Sequence, residues 1–96
     1  MMDMTEARAA IDAADRELAA LFLRRMEAVR AIAEEKRSRG LPILDSAREA
    51  EKLDRAVGLI ADEALRPYFL ELLRETMRVS RDYQCALLGR ETEGTV

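Results

Sequence analysis

A chain of 96 residues, 49% apolar and 36% charged, has the size and balance of a single soluble domain. Its net charge of −3 and pI near 5.1 exclude the broad basic face of a nucleic-acid binder, and no apolar run reaches the length of a membrane span. With no histidine and one cysteine, Cys85, the chain has no Ser/His triad, no internal disulfide and no thiol metal cluster, so any catalysis must use other groups.

Ala, Leu, Glu and Arg dominate and β-branched runs are scarce, which predicts an all-α fold. The opening Met1-Met2-Asp3-Met4 has neither the basic region nor the apolar stretch of a secretion signal, so the expected compartment is the cytoplasm. The first element is a long helix over 5–39, with Thr5 as N-cap and Glu6 near the positive helix end. Gly40 in a left-handed C′ position and Pro42 beyond it end the run. Helical spacing lines up Ala7, Ile11, Ala14, Leu18, Leu21, Arg25, Ala28, Ile32 and Lys36, of which seven are apolar. At 1.5 Å per residue this helix spans roughly 50 Å, whereas a compact globule of this length is only about 32 Å across. A seam that long needs more cover than the rest of the chain supplies, so the expectation is an intertwined homodimer in which the long helices pair.

A second helix is expected over 46–64, opened by Asp45 or by a Ser46/Glu49 capping box, with Ala50, Leu53, Val57, Ile60 and Ala64 on its apolar face and Gly58 marking close packing. Pro67 suits the first turn of a third helix over 67–88 that carries Phe69, Leu70, Leu73, Met77, Leu87 and Leu88 and stops at Gly89. Residues 90–96 show no periodicity and are expected to form a disordered tail. The whole reads as one domain of three helices, without repeats.

Polar residues interrupt the apolar seams in a few places. Arg25 and Lys36, eleven residues apart, fall within roughly 20° of one helix face and about 16 Å apart along it, so both can reach an anion between them. Arg8, 17 residues before Arg25, lies roughly 25 Å away and about 100° around the helix, and can meet such a site only across an antiparallel dimer. Ser80 and Gln84 share one face of the third helix. Each has an ordinary reading: a snorkelling arginine, capping for Asp45, Ser46 and Glu49, solvated charge for Arg48 and Lys52, and Ser80 or Gln84 bonded to each other or to a carbonyl. Arg16, Arg24, Arg30, Arg37 and Arg39 read as surface charge, and Cys85 as a small buried hydrophobe. Taken as a set, three or four cations beside a glutamine and two carboxylates suit a small dianion that also bears a hydroxyl.

The run Arg8-x-x-Ile11-x-x-x-Asp15-x-x-Leu18, then Arg25 and Lys36, then Asp45-x-x-Arg48-Glu49, and finally Ser80-x-x-x-Gln84 resembles, in order and spacing, the all-helical, AroQ-type chorismate mutases. The resemblance covers nearly the whole chain. It implies an intertwined dimer of three-helix chains that isomerises chorismate to prephenate on the way to phenylalanine and tyrosine. By that resemblance, Arg25, Arg48 and the partner's Arg8 bind the two carboxylates, and Lys36 and Gln84 donate to the ether oxygen. Asp45 and Glu49 meet the hydroxyl region, and Ser80 supports a carboxylate. No cofactor is implied, because the reaction is an intramolecular rearrangement. Two alternatives stand beside this reading: an isochorismate pyruvate lyase, a scaffold relative that tends to lack the Asp45 and Glu49 carboxylates, and a non-catalytic helical dimerisation or regulatory module.

Overall fold

The computed structural model describes residues 1–91, and within them the chain is all-helical. Helix α1 runs Met4–Arg39, 36 residues, and about 54 Å at the standard rise; the protomer's longest dimension is 52 Å. One helix therefore sets the length of the molecule. The radius of gyration is 16.4 Å, well above the roughly 12.5 Å of a compact chain of this size.

The start of α1 differs from the sequence expectation. Asp3, not Thr5, is the N-cap, and its Oδ1 accepts from the Glu6 backbone N–H at 2.8 Å. A carboxylate caps an orphan amide and also meets the positive helix end, so it prevails over the threonine two positions on. At the other end Gly40 adopts φ 63°, and the Leu41 N–H returns to the Lys36 carbonyl at 2.9 Å, closing the helix in a left-handed turn that a side chain at position 40 would strain.

Helix α2 covers Ser46–Ala56, shorter than the expected 46–64. Asp45 is its cap, accepting from the Arg48 N–H at 3.0 Å. The helix tightens into a single 3-10 turn over Val57–Leu59, and Ile60 is extended. Three local causes act together: Gly58 weakens the helix, Val57 is β-branched, and Asp62 draws the chain into its own turn by accepting from the Ala64 N–H at 2.9 Å. The Arg66 Nε then donates to the Ile60 carbonyl at 2.8 Å and stitches this turn to the last helix. Helix α3 spans Arg66–Leu88 with Pro67 in its first turn, and Gly89 ends it at φ 64°.

Helix α3 packs against the C-terminal part of α1 on one side and against α2 on the other. The buried apolar residues among those described are Val29, Ala33, Ile43, Ala56, Met77 and Cys85. Val29 and Ala33, the buried residues of α1, are not members of the predicted seam. Val29 lies about 40° around the helix from Arg25, so the face that meets α3 is rotated from the one the seam marks. The seam itself stays open: Ile11, Leu18, Leu21 and Ile32 are each about half exposed.

The expected disordered tail begins too early. Arg90 is held twice, its N–H bonded to the Cys85 carbonyl at 2.9 Å and its Nη1 to the Leu41 carbonyl at 2.7 Å. The rest of that tail, 92–96, lies outside the described residues. Arg37, read as a surface charge, also links elements by donating to the Leu87 carbonyl at 2.9 Å. These two arginines tie the end of α3 to the end of α1 and the loop after it.

Candidate active site

A cavity of about 210 Å3 opens where the C-terminal half of α1, the loop after it, α2 and α3 converge. From α1 come Arg25, Val29, Ile32 and Lys36, spaced at four, three and four residues so that they share one face. The loop and α2 supply Ile43, Asp45, Arg48, Glu49 and Lys52, and α3 supplies Met77, Ser80, Arg81 and Gln84. Seven of the sequence candidates are thus brought together: Arg25, Lys36, Asp45, Arg48, Glu49, Ser80 and Gln84. Arg8 is not. It stands exposed some 17 residues, or about 25 Å, up the bare end of α1.

The cationic side chains are held by short-range bonds. Arg25 donates through Nη1 to the Ser80 hydroxyl, which in turn donates to the Thr76 carbonyl at 2.9 Å. Ser80, only 6% exposed, thereby aims the guanidinium. Lys36 donates through Nζ to the Ile43 carbonyl, and Ile43 is buried. The ammonium is anchored by one of its three donors, so others remain for a ligand. Asp45 is occupied as the α2 cap, while the Arg48 side chain is 53% exposed and lies 3.9 Å from Glu51. The ordinary readings of Asp45 and Arg48 as cap and solvated charge therefore describe their present contacts, although both also border the cavity.

Gln84 is buried, and among the described residues its Oε1 meets no hydrogen-bond partner. Leaving such an atom unpaired costs about 1–3 kcal/mol, and the oxygen and nitrogen of an amide are interchangeable by a flip. A buried amide with unused capacity on a cavity wall is a site for a ligand's polar atom.

Electrostatically the cavity opposes the rest of the chain. Arg25, Lys36, Arg48, Lys52 and Arg81 face only Asp45 and Glu49, a formal excess of three positive charges in a protein of net charge −3. Lys52 registers this crowding: burial first, and then the nearby Arg25 and Arg48 charges, push its pKa below the usual lysine value, with Glu49 opposing in part. Such a pocket favours a dianion.

The model of one protein family, chorismate mutase type II, matches residues 7–85. The chain belongs to the type II chorismate mutase family. This is a family of isomerases whose substrate is chorismate. Neither a curated protein nor a solved structure gave a significant match. The fit between family and cavity is chemical, since a chorismate mutase must accept a dicarboxylate and needs no nucleophile. No described helix is long and apolar enough to cross a membrane.

Two charged residues that line the cavity, Lys52 and Arg81, are not among the candidates the sequence singles out. Its pattern marks Lys52 as solvated charge and does not separate Arg81 from the many other arginines of the chain. Arg81 Nη1 donates to both carboxylate oxygens of Glu49, at 2.6 Å to Oε2, and bridges α3 to α2. A signal for each was present in the helical spacing. Lys52 follows Arg48 by four residues and Glu49 by three, and Arg81 precedes Gln84 by three, so each shares a face with an identified candidate.

Proposed function

We propose that the protein converts chorismate to prephenate by a [3,3] rearrangement, feeding phenylalanine and tyrosine synthesis, in a homodimer where Arg8 of one copy completes the cavity of the other. The observation that carries this reading is the meeting of Lys36, with ammonium donors to spare, and the buried amide of Gln84, whose Oε1 has no partner among the described residues, in a cavity of strongly positive charge.

The chemistry explains the residue types. Chorismate carries two carboxylates, and its enolpyruvyl ether must fold over the ring before the new C–C bond can form as the C–O bond breaks. Arg25, held by Ser80, and Arg48 grip the carboxylates and confine the flexible ether, converting binding energy into positioning. As the C–O bond lengthens, negative charge gathers on the ether oxygen. Lys36 and, with its amide turned nitrogen-inward, Gln84 donate to that oxygen; Lys36 is already anchored on the Ile43 carbonyl and Gln84 is buried, so little reorganisation is needed when the charge appears. Asp45 and Glu49 accept from the ring hydroxyl. No proton changes owner, which is why a chain without histidine suffices.

Dimerisation rests on the bare half of α1. Ile11, Leu18, Leu21, Phe22 and Leu23 are all about half exposed or more, and covering the exposed part of each would contribute on the order of 1 kcal/mol. An antiparallel pairing of two α1 helices covers this stripe and brings each Arg8 toward the other copy's Arg25 and Lys36. The test is an assay of chorismate loss on purified protein with identification of the product, run in parallel with isochorismate. Prephenate from chorismate is the expected result. Salicylate and pyruvate from isochorismate, with chorismate untouched, would overturn the assignment, and binding of neither would favour a non-catalytic module.

A further inference from the structure

The Glu49–Arg81 pair differs from the other ion pairs of the described residues. Those join side chains three or four positions apart, with at least one partner about half exposed or more; this one joins two separate helices across 32 residues of sequence, with side chains only 25% and 22% exposed. Exposed local pairs contribute little and need no functional account. A pair at a cavity wall, spanning the two helices that frame it, does.

Its geometry is also one-sided. A single nitrogen, Nη1, reaches both oxygens of Glu49, and among the described residues no acceptor meets Nε or Nη2. Each carboxylate oxygen accepts about two hydrogen bonds, so Glu49 keeps free acceptor capacity while its charge is offset. A cavity that receives a dianion and also presents a carboxylate to its hydroxyl has a conflict: the acceptor the hydroxyl needs repels the carboxylates beside it. Arg81 resolves that conflict.

We infer that Arg81 is a positioning and specificity-determining residue, which holds Glu49 against the cavity wall and cancels its charge so that Glu49 can accept from the hydroxyl of a dianionic substrate. The inference rests on the chorismate mutase reading. It assigns Arg81 no direct contact with the substrate, and this separates it from the rival role of a further carboxylate-binding cation.

The test is a double-mutant cycle on the full chain, with steady-state kinetics on chorismate and thermal melting of every variant. Arg81→Met leaves Glu49 as an uncompensated anion and raises KM about tenfold, with kcat changed by less than about threefold. In Arg81→Met/Glu49→Gln the repelling charge is gone, and KM returns to within about threefold of Glu49→Gln alone. Arg81→Lys keeps the charge and restores most of the KM, and Arg81→Gln, which also lacks the charge, stands in for the methionine variant should that one fail to fold. If Arg81 bound the substrate directly, KM would stay raised in the double variant. If it were only a structural tie, the melting temperature would fall while KM held. Either result overturns the inference and leaves the mutase reading standing. Wild-type protein that does not turn over chorismate removes that reading, and the role of Arg81 falls with it.

Discussion

The two halves of α1 are built from the same kind of sequence and meet opposite fates. From Arg25 onward the helix packs on α3, buries Val29 and Ala33, and lends Arg25 and Lys36 to the cavity. Before Arg25 every residue but Ala7 is exposed, although Ile11, Leu18 and Leu21 continue an apolar stripe. Amphipathic pattern alone does not bury a face; a partner surface must exist, and within the protomer the cover from α2 and α3 leaves these residues before Arg25 exposed. The bare half is the surface that the proposed second copy would cover, and Arg8 on it is the candidate that the cavity of its own chain leaves out.

The largest effect belongs to the packed half. In the proposed mechanism Lys36→Ala removes a donor to the breaking ether bond, and the expected loss in kcat is about 10²–10³-fold, the range for losing one preorganised donor. Its circular dichroism and molar mass stay those of the wild type. Near-normal turnover would break the link between the packed half and the chemistry.

Next comes the bare half. In a lone protomer Leu18→Glu and Leu21→Glu are exposed substitutions, neutral within about 0.5 kcal/mol. In the proposed dimer they place charge in an apolar interface. Light scattering is expected to show a shift to monomer, with activity lost in parallel. An unchanged molar mass would contradict the pairing.

Asp3→Ala probes the same half more gently. A lost N-cap costs about 1 kcal/mol, which for a domain of this size lowers the melting temperature by about 4–8 °C when the capped segment belongs to the cooperative unit. That drop is expected if the bare half folds against a partner. A melting temperature that does not move would mean that the first turns of α1 fray independently of the rest.

The smallest effect concerns Lys52. Its folded-state pKa is lowered, so below that value the folded protein carries a penalty that the unfolded chain does not. As pH rises through the lowered pKa toward the ordinary lysine value, the unfolded state holds more protons and stability increases. Lys52→Met is expected to abolish this alkaline gain in denaturant titrations and to be slightly more stable at neutral pH. An identical pH profile for the two proteins would remove Lys52 from the cavity's electrostatics.

Much of this was readable in the chain because helix ends carry chemical marks. Gly40 and Gly89 take the left-handed positions expected of them, and Asp45 caps α2. Seven candidates reach one cavity because helical spacing determines which side chains share a face. Where local signals compete, reading by pattern failed: α2 ends early because Val57, Gly58 and Asp62 each favour a turn, although the apolar spacing continues to Ala64. It also failed where the partner is distant in sequence. Nothing near Arg81 indicates Glu49, 32 residues away, and nothing within α1 indicates that its buried face turns toward Val29 and Ala33.

In the proposed dimer the packed half of one α1 and the bare half of another form one catalytic cavity. Mixing Arg8→Ala and Lys36→Ala subunits by joint refolding tests it directly. Each variant alone is expected to be strongly impaired. In a mixed dimer one site carries both substitutions and the other carries neither, so an equimolar mixture is predicted to recover about a quarter of wild-type activity by random pairing. A mixture no more active than the two variants measured apart would contradict a shared site.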